Sequence, residues 1–146
     1  MSDVSAASLS AMYQETLLAH HRAPLNRRAI ANATHTGSRK NPLCGDALQV
    51  AVRFDGDSIA DAAFTGQGCS IATASASMMT EVLRGRTRDQ ALALVDEVES
   101  MLTGGTAAPN LPFGLEALRG VAPFPGRHGC ATMSWLALRD ALHTRS

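Results

Sequence analysis

A chain of 146 residues with 45% hydrophobic and 18% charged side chains is long enough to bury a core and is neither disordered nor fibrous in character. The 13 Lys and Arg balance the 13 Asp and Glu, which leaves no global field to draw in nucleic acid or an anionic membrane, and 4% aromatics give few stacking platforms for bases. No run approaches the ~20 apolar residues of a membrane span, and the N-terminus lacks the features of a secretory leader, so one cytoplasmic domain over residues 1–146 is expected, with neither nucleic acid nor membrane as partner.

Leu9 to His21 carries its apolar residues at helical spacing: Leu9, Met12, Tyr13, Thr16, Leu17 and His20 form one stripe. Ser8 or Ser10 is the expected cap and Pro24 the stop. His20 and His21 fall in the last turn, where a capping or packing role suits the helix dipole better than catalysis. Arg22 to Lys40 is polar and irregular, with at most a short edge strand around Ala31 to Thr36. Arg22, Arg27, Arg28, Arg39 and Lys40 make this the most basic stretch, read as a solvated face in preference to a docking patch.

Ala47 to Phe54 alternates, with Leu48, Val50, Val52 and Phe54 on one side and Gln49 and Arg53 on the other, the pattern of a half-buried strand. Asp55-Gly56-Asp57 signals a tight turn, and Ile59 to Phe64 supplies the returning strand. The hairpin sets the entry of its first strand, Cys44-Gly45-Asp46, beside the exit of its second, Gly66-Gln67-Gly68-Cys69. Ser70 to Arg84 is a helix rich in small residues that Gly85 stops, which puts Cys69 at a helix start, where backbone N–H groups favour a thiolate. Thr87 caps a further helix, Arg88 to Leu102. A loop over Gly104 to Pro112, a short helical turn over Gly114 to Arg119 and a rigid Pro123-Phe124-Pro125-Gly126 approach lead to a last helix, Cys130 to His143. Together these elements predict an α+β fold, a small antiparallel sheet of about three strands with helices packed on one face.

Three cysteines are an odd number for a disulfide framework, which leaves metal ligation, reactive thiols or three small buried hydrophobes. Cys44 and Asp46 stand one residue apart in a loop framed by Pro42 and Gly45, while Cys69 and Cys130 each begin a helix. Cys44, Asp46, Cys69 and Cys130 satisfy tetrahedral coordination, and thiolates point to zinc or an iron–sulfur species over magnesium or calcium. His128, two residues before Cys130, is either a further donor or an ordinary loop histidine. Arg127 is a cation close to these anionic donors, suited to stabilising a thiolate by charge and hydrogen bonding.

Asn41-Pro42-x-Cys44-Gly45-Asp46, Gly66-x-Gly68-Cys69-Ser70-Ile71, Ala74-Ser75-Ala76-Ser77-Met78-Met79 and Arg127-x-x-Cys130-Ala131-Thr132 resemble the U-type proteins of iron–sulfur cluster assembly. The SufU branch is nearer than the IscU branch. An extra segment lies around Met101 to Leu118, Gly129 stands where IscU-like proteins have histidine, and Pro123-Phe124-Pro125-Gly126 replaces their chaperone-recognition segment. The resemblance implies a zinc site of Cys44, Asp46, Cys69 and Cys130. It also implies a pyridoxal-phosphate cysteine desulfurase as partner, alongside other assembly proteins. Cys44 is then the expected sulfur acceptor, because Cys69 and Cys130 begin packed helices and Cys44 does not. Two alternatives use the same donors: a scaffold that holds a [2Fe–2S] cluster transiently, and a zinc site that only secures the fold.

Overall fold

The computed structural model describes residues 6–41, 45–103 and 115–143. Helix α1 (Ala6–Arg22) leads through a loop to a three-stranded antiparallel sheet in the order β1 (His35–Asn41), β2 (Asp46–Asp55), β3 (Ser58–Gln67). Helices α2 (Ser70–Leu83) and α3 (Arg88–Leu102), 3-10 turns at Leu115–Val121 and Pro125–Arg127, and α4 (His128–His143) complete the described elements. None of the described helices is long and apolar enough to cross a membrane.

Alternation in β2 decides which side of the sheet is covered. Leu48, Val50 and Val52 are buried, whereas Gln49 is exposed and Arg53 half-buried. α4 lies across β1 and β2, and α2 packs beside β3, so the helices gather on one face as the pattern predicts. The Gly56-Asp57 loop closes the β2–β3 hairpin with Gly56 at φ +64°, the positive value a type II′ turn needs at its first central residue.

α2 is the spine of the helical layer. Ala72, Ala74, Ser75, Ala76 and Ser77 are all buried, and their small side chains let α1 and α4 press against it from two sides. The hydroxyls of Ser75 and Ser77 that this buries are paired. The Trp135 indole N–H donates to Ser75 Oγ (3.0 Å), and that hydroxyl donates to the Ala131 carbonyl (2.6 Å). On the other side, Ser77 Oγ accepts the Leu25 N–H (2.8 Å) and meets His20 Nδ1 (2.7 Å). Leaving either network half-made costs about 1–3 kcal/mol per orphaned group.

Three expected boundaries move. α1 begins at Ala6, so Ser8 and Ser10 lie inside the helix and do not cap it. The edge strand is His35–Asn41, later than Ala31 to Thr36. β1 shows no apolar alternation because its contact with α4 is made at Gly37, where a Cβ would come within 2.1 Å of the Ala137 carbonyl oxygen and 2.7 Å of the Ala141 nitrogen. Backbone, not side chain, fills that contact. Finally, α4 starts at His128, because the Pro123–Gly126 approach ends in a 3-10 turn that runs straight into it. The expected loop over 104–112 lies outside the described residues.

Two outcomes follow from this packing. Gly37→Ala forces α4 off the sheet and is expected to lower stability by about 1–3 kcal/mol in denaturant titration. His20 has its pKa lowered, mainly by burial against α2, with Glu81 opposing. A histidine depressed on folding contributes stability that is full above the unfolded value, near pH 6.5, and is lost as pH falls through the folded value. The melting temperature is therefore expected to drop from pH 7 to pH 5 with a steeper slope in wild type than in His20→Gln.

Candidate metal centre

The site is assembled by sheet register. Asn41 pairs with Asp46 across β1 and β2, and Ala47 pairs with Gln67 across β2 and β3. The end of β1, the start of β2 and the end of β3 therefore meet at one edge. Gly66, at φ +110°, allows this closeness, since a Cβ there would lie 2.2 Å from the Ala47 carbonyl oxygen. Gly45, at φ +75°, turns the chain into β2, and its N–H donates to the Asn41 carbonyl (2.9 Å). Both conformations favour glycine.

From that edge the chain enters α2 at Cys69, the N-cap residue. The Cys69 N–H donates to Asp46 Oδ2 at 3.0 Å, so the carboxylate holds the start of α2. Cys130 arrives from the first turn of α4 and is almost wholly buried, whereas Cys69 is half-buried. One ligand atom from each of Asp46, Cys69 and Cys130 lies within 4.8 Å of the other two. Tetrahedral zinc holds two thiolates at an edge of about 3.8 Å, so these donors stand near closure.

Cys44 lies outside the described residues. Arg127 is exposed, and its guanidinium has no hydrogen-bond or ion-pair partner among the described residues. The ring of His128 turns elsewhere: its Nε2 bonds the Ala122 carbonyl at 2.8 Å, tying the start of α4 to the preceding 3-10 turn. Among the described residues His128 is not one of the clustered donors, and it stands in neither of the two expected roles: it is the first residue of α4, with its ring bonded to the preceding turn. The Asp46–Cys69 backbone bond was not visible to sequence reasoning, although an aspartate opposite a helix start on a paired strand is the signal that finds it.

A family model, the NifU-like N-terminal domain, matches residues 12–141. The chain belongs to that family. It is 38% identical over 137 residues to a zinc-dependent sulfurtransferase SufU of Bacillus subtilis, covering 93% of this chain and 92% of the relative. It is 37% identical over 137 residues to an iron–sulfur cluster assembly scaffold protein IscU of Streptococcus pyogenes, covering 93% and 86%. A crystal structure from Fervidobacterium islandicum, described as a candidate iron–sulfur cluster assembly scaffold for the SUF system, superposes with a TM-score of 0.84 at 31% identity. It covers 90% of this chain and 97% of that one. Similarity to the NifU-like family thus spans the sheet, α2 and α4, the elements that carry Asp46, Cys69 and Cys130.

The hydrogen bond of Asp46 and its candidate role as a metal ligand separate in substitutions. Asp46→Asn keeps an oxygen for the Cys69 N–H but loses the anionic donor, and Asp46→Ala loses both. Zinc affinity, read by competition with a chromophoric chelator, is expected to fall from wild type to Asn to Ala, by at least about tenfold at the last step.

Proposed function

We propose that the protein is a zinc-dependent sulfurtransferase of iron–sulfur cluster assembly that accepts persulfide sulfur from a pyridoxal-phosphate cysteine desulfurase. The observation that carries this reading is the convergence of two thiols and a carboxylate at one sheet edge, Asp46, Cys69 and Cys130 within 4.8 Å. Its similarity over nearly its full length to a protein named a zinc-dependent sulfurtransferase supports it. The donor set fits zinc: sulfur and carboxylate ligands in the number a closed tetrahedral site needs once Cys44 is added. Bound zinc keeps its coordinating thiols deprotonated at neutral pH.

The chain's own residues divide the work. Cys69 is held by its place at the head of α2, and Cys130 by burial in α4. Asp46 is held by the Cys69 N–H. Cys44, between Pro42 and Gly45 in sequence, is the acceptor. Its thiolate attacks the sulfane sulfur of the desulfurase persulfide. The donor S–S bond breaks, the desulfurase thiolate leaves with the electron pair, and Cys44 carries the new persulfide. Arg127, exposed and without an acidic partner among the described residues, is the cation that stabilises the thiolate before attack. The work is cytoplasmic, with other iron–sulfur assembly proteins as recipients.

The scaffold reading uses the same donors for a transient [2Fe–2S] cluster and is favoured by the similarity to an IscU scaffold protein. Alanine release by the desulfurase separates the two. Zinc-loaded protein is expected to raise turnover severalfold, metal-stripped protein to leave it unchanged, and Cys44→Ser to lose persulfide labelling. No stimulation by the zinc form rejects the transferase, and anaerobic isolation with iron and little zinc favours the scaffold.

A further inference from the structure

Among the described residues one buried hydroxyl is left over. The other buried polar side chains are all bonded. Asp46 takes the Cys69 N–H, Thr73 donates to the Gly68 carbonyl (3.3 Å), Thr80 donates to the Ser77 carbonyl (2.8 Å), and Ser75 and Ser77 belong to the two networks of α2. Ser134, in α4, is fully buried, and its Oγ has no hydrogen-bond partner among the described residues. An unpaired buried hydroxyl is costly. The usual remedy is close by and is not taken. A helical hydroxyl can bond back to the carbonyl four residues earlier, as Thr132 does to His128 and Thr103 to Glu99, both at 2.9 Å. For Ser134 that acceptor is the Cys130 carbonyl, and no such bond forms.

The place of this hydroxyl is specific. Residues four apart on a helix share a face, with Cβ atoms about 5–6 Å apart, and side chains lean toward the helix start, so Ser134 leans toward Cys130. Sheet register says the same. Gly37, paired with Val50, lies against Ala137 and Ala141, and Asn41, paired with Asp46, lies beside Gly129, where a Cβ would stand 3.7 Å from Asn41 Nδ2. α4 therefore runs inward from the level of Asp46 to the level of Val50. Ser134 falls about midway, level with Leu48 and one step beneath Asp46 and Cys130. The side chains of Leu48 and Val50 offer no acceptor there. The Cys130 sulfur does, and its strength varies: a neutral thiol accepts weakly, a thiolate strongly.

We propose that Ser134 is a positioning residue for the metal centre, its hydroxyl donating to the sulfur of Cys130 when that sulfur is a thiolate ligand. The inference rests on the zinc reading above and deepens it. A buried donor beneath one sulfur fixes the orientation of that ligand, as a partner behind a metal ligand does in general. It also draws charge from the sulfur and lowers its nucleophilicity. Cys130 is thereby kept as a ligand, and sulfur acceptance falls to a cysteine without such a donor.

The test compares the full wild-type chain with Ser134→Ala, each stripped of metal and then titrated with cobalt(II) or zinc. A hydrogen bond lowers the energy of the sulfur donor orbital, so the thiolate-to-cobalt charge-transfer band of Ser134→Ala is expected at longer wavelength than that of wild type. Zinc affinity, read by competition with a chromophoric chelator, is expected to fall about tenfold. The metal-stripped variant is expected to melt at or above wild type, because a methyl group replaces an unpaired hydroxyl. A merely structural hydroxyl moves the melting temperature and neither of the other two. An unmoved cobalt band, an unchanged zinc affinity, or a metal-stripped variant that melts below wild type overturns the proposal. A wild-type chain without a thiolate-to-cobalt band rejects the metal site itself. Alanine release that zinc-loaded wild type fails to raise rejects the transferase and leaves the Ser134 result standing, since neither the band nor the competition involves turnover.

Discussion

How close α4 sits to β1 sets the geometry of everything at the donor edge. Gly37 has no side chain, and the carbonyl of Ala137 occupies the space a Cβ would need. That contact fixes the height of α4 over the sheet, and Cys130 rides on its first turn. A helix seated on larger residues would stand off by the thickness of a methyl group or more, and Cys130 would move away from Cys69 and Asp46. The small residues of α2 play the same part on the other side, since Ala72, Ala74 and Ala76 allow α2 to nest beneath its neighbours while it presents Cys69 at its head. A donor cluster built from three separate elements thus depends on packing without intervening side chains.

Much of this was legible in the amino-acid order. The β2–β3 hairpin was plain from the alternation of Leu48, Val50 and Val52 and the Gly56 turn, and it alone puts Asp46 near Cys69. Thr87 announced α3, where its hydroxyl accepts the Gln90 N–H and the Gln90 side chain returns the bond to the Thr87 N–H. β1 was misplaced for a physical reason. A strand whose buried contact is made by glycine against helix backbone carries no apolar period, and pattern reading depends on that period. The start of α4 was missed by two residues because the bond from His128 to the Ala122 carbonyl, which brings His128 into the helix, joins residues that no local propensity links.

The cluster of Asp46, Cys69 and Cys130 was readable because cysteine is scarce. Of the three cysteines in the chain, Cys69 caps α2 and Cys130 lies in the first turn of α4, and the sheet edge brings those two together with Asp46. What sequence could not supply was the sorting of the charges. Arg28 and Arg39 look no different in a row of letters from Arg27 and Lys40, and only long-range pairing with Asp61 and Asp140 distinguishes the spent charges from those left over.

The bond between Asp46 Oδ2 and the Cys69 N–H bears on the order in which an ion would leave the proposed zinc site. Asp46 cannot rotate away without stripping the head of α2 of its hydrogen bond, and Cys69 cannot retreat without dragging the carboxylate. The two behave as a single stiff chelating arm formed when the hairpin closes, with little further loss of freedom on capture. Escape by stepwise ligand loss would then begin at a donor outside this arm, and an ion returning before the arm opens would be recaptured. In the proposed zinc site, slow metal exchange would thus follow from a main-chain contact.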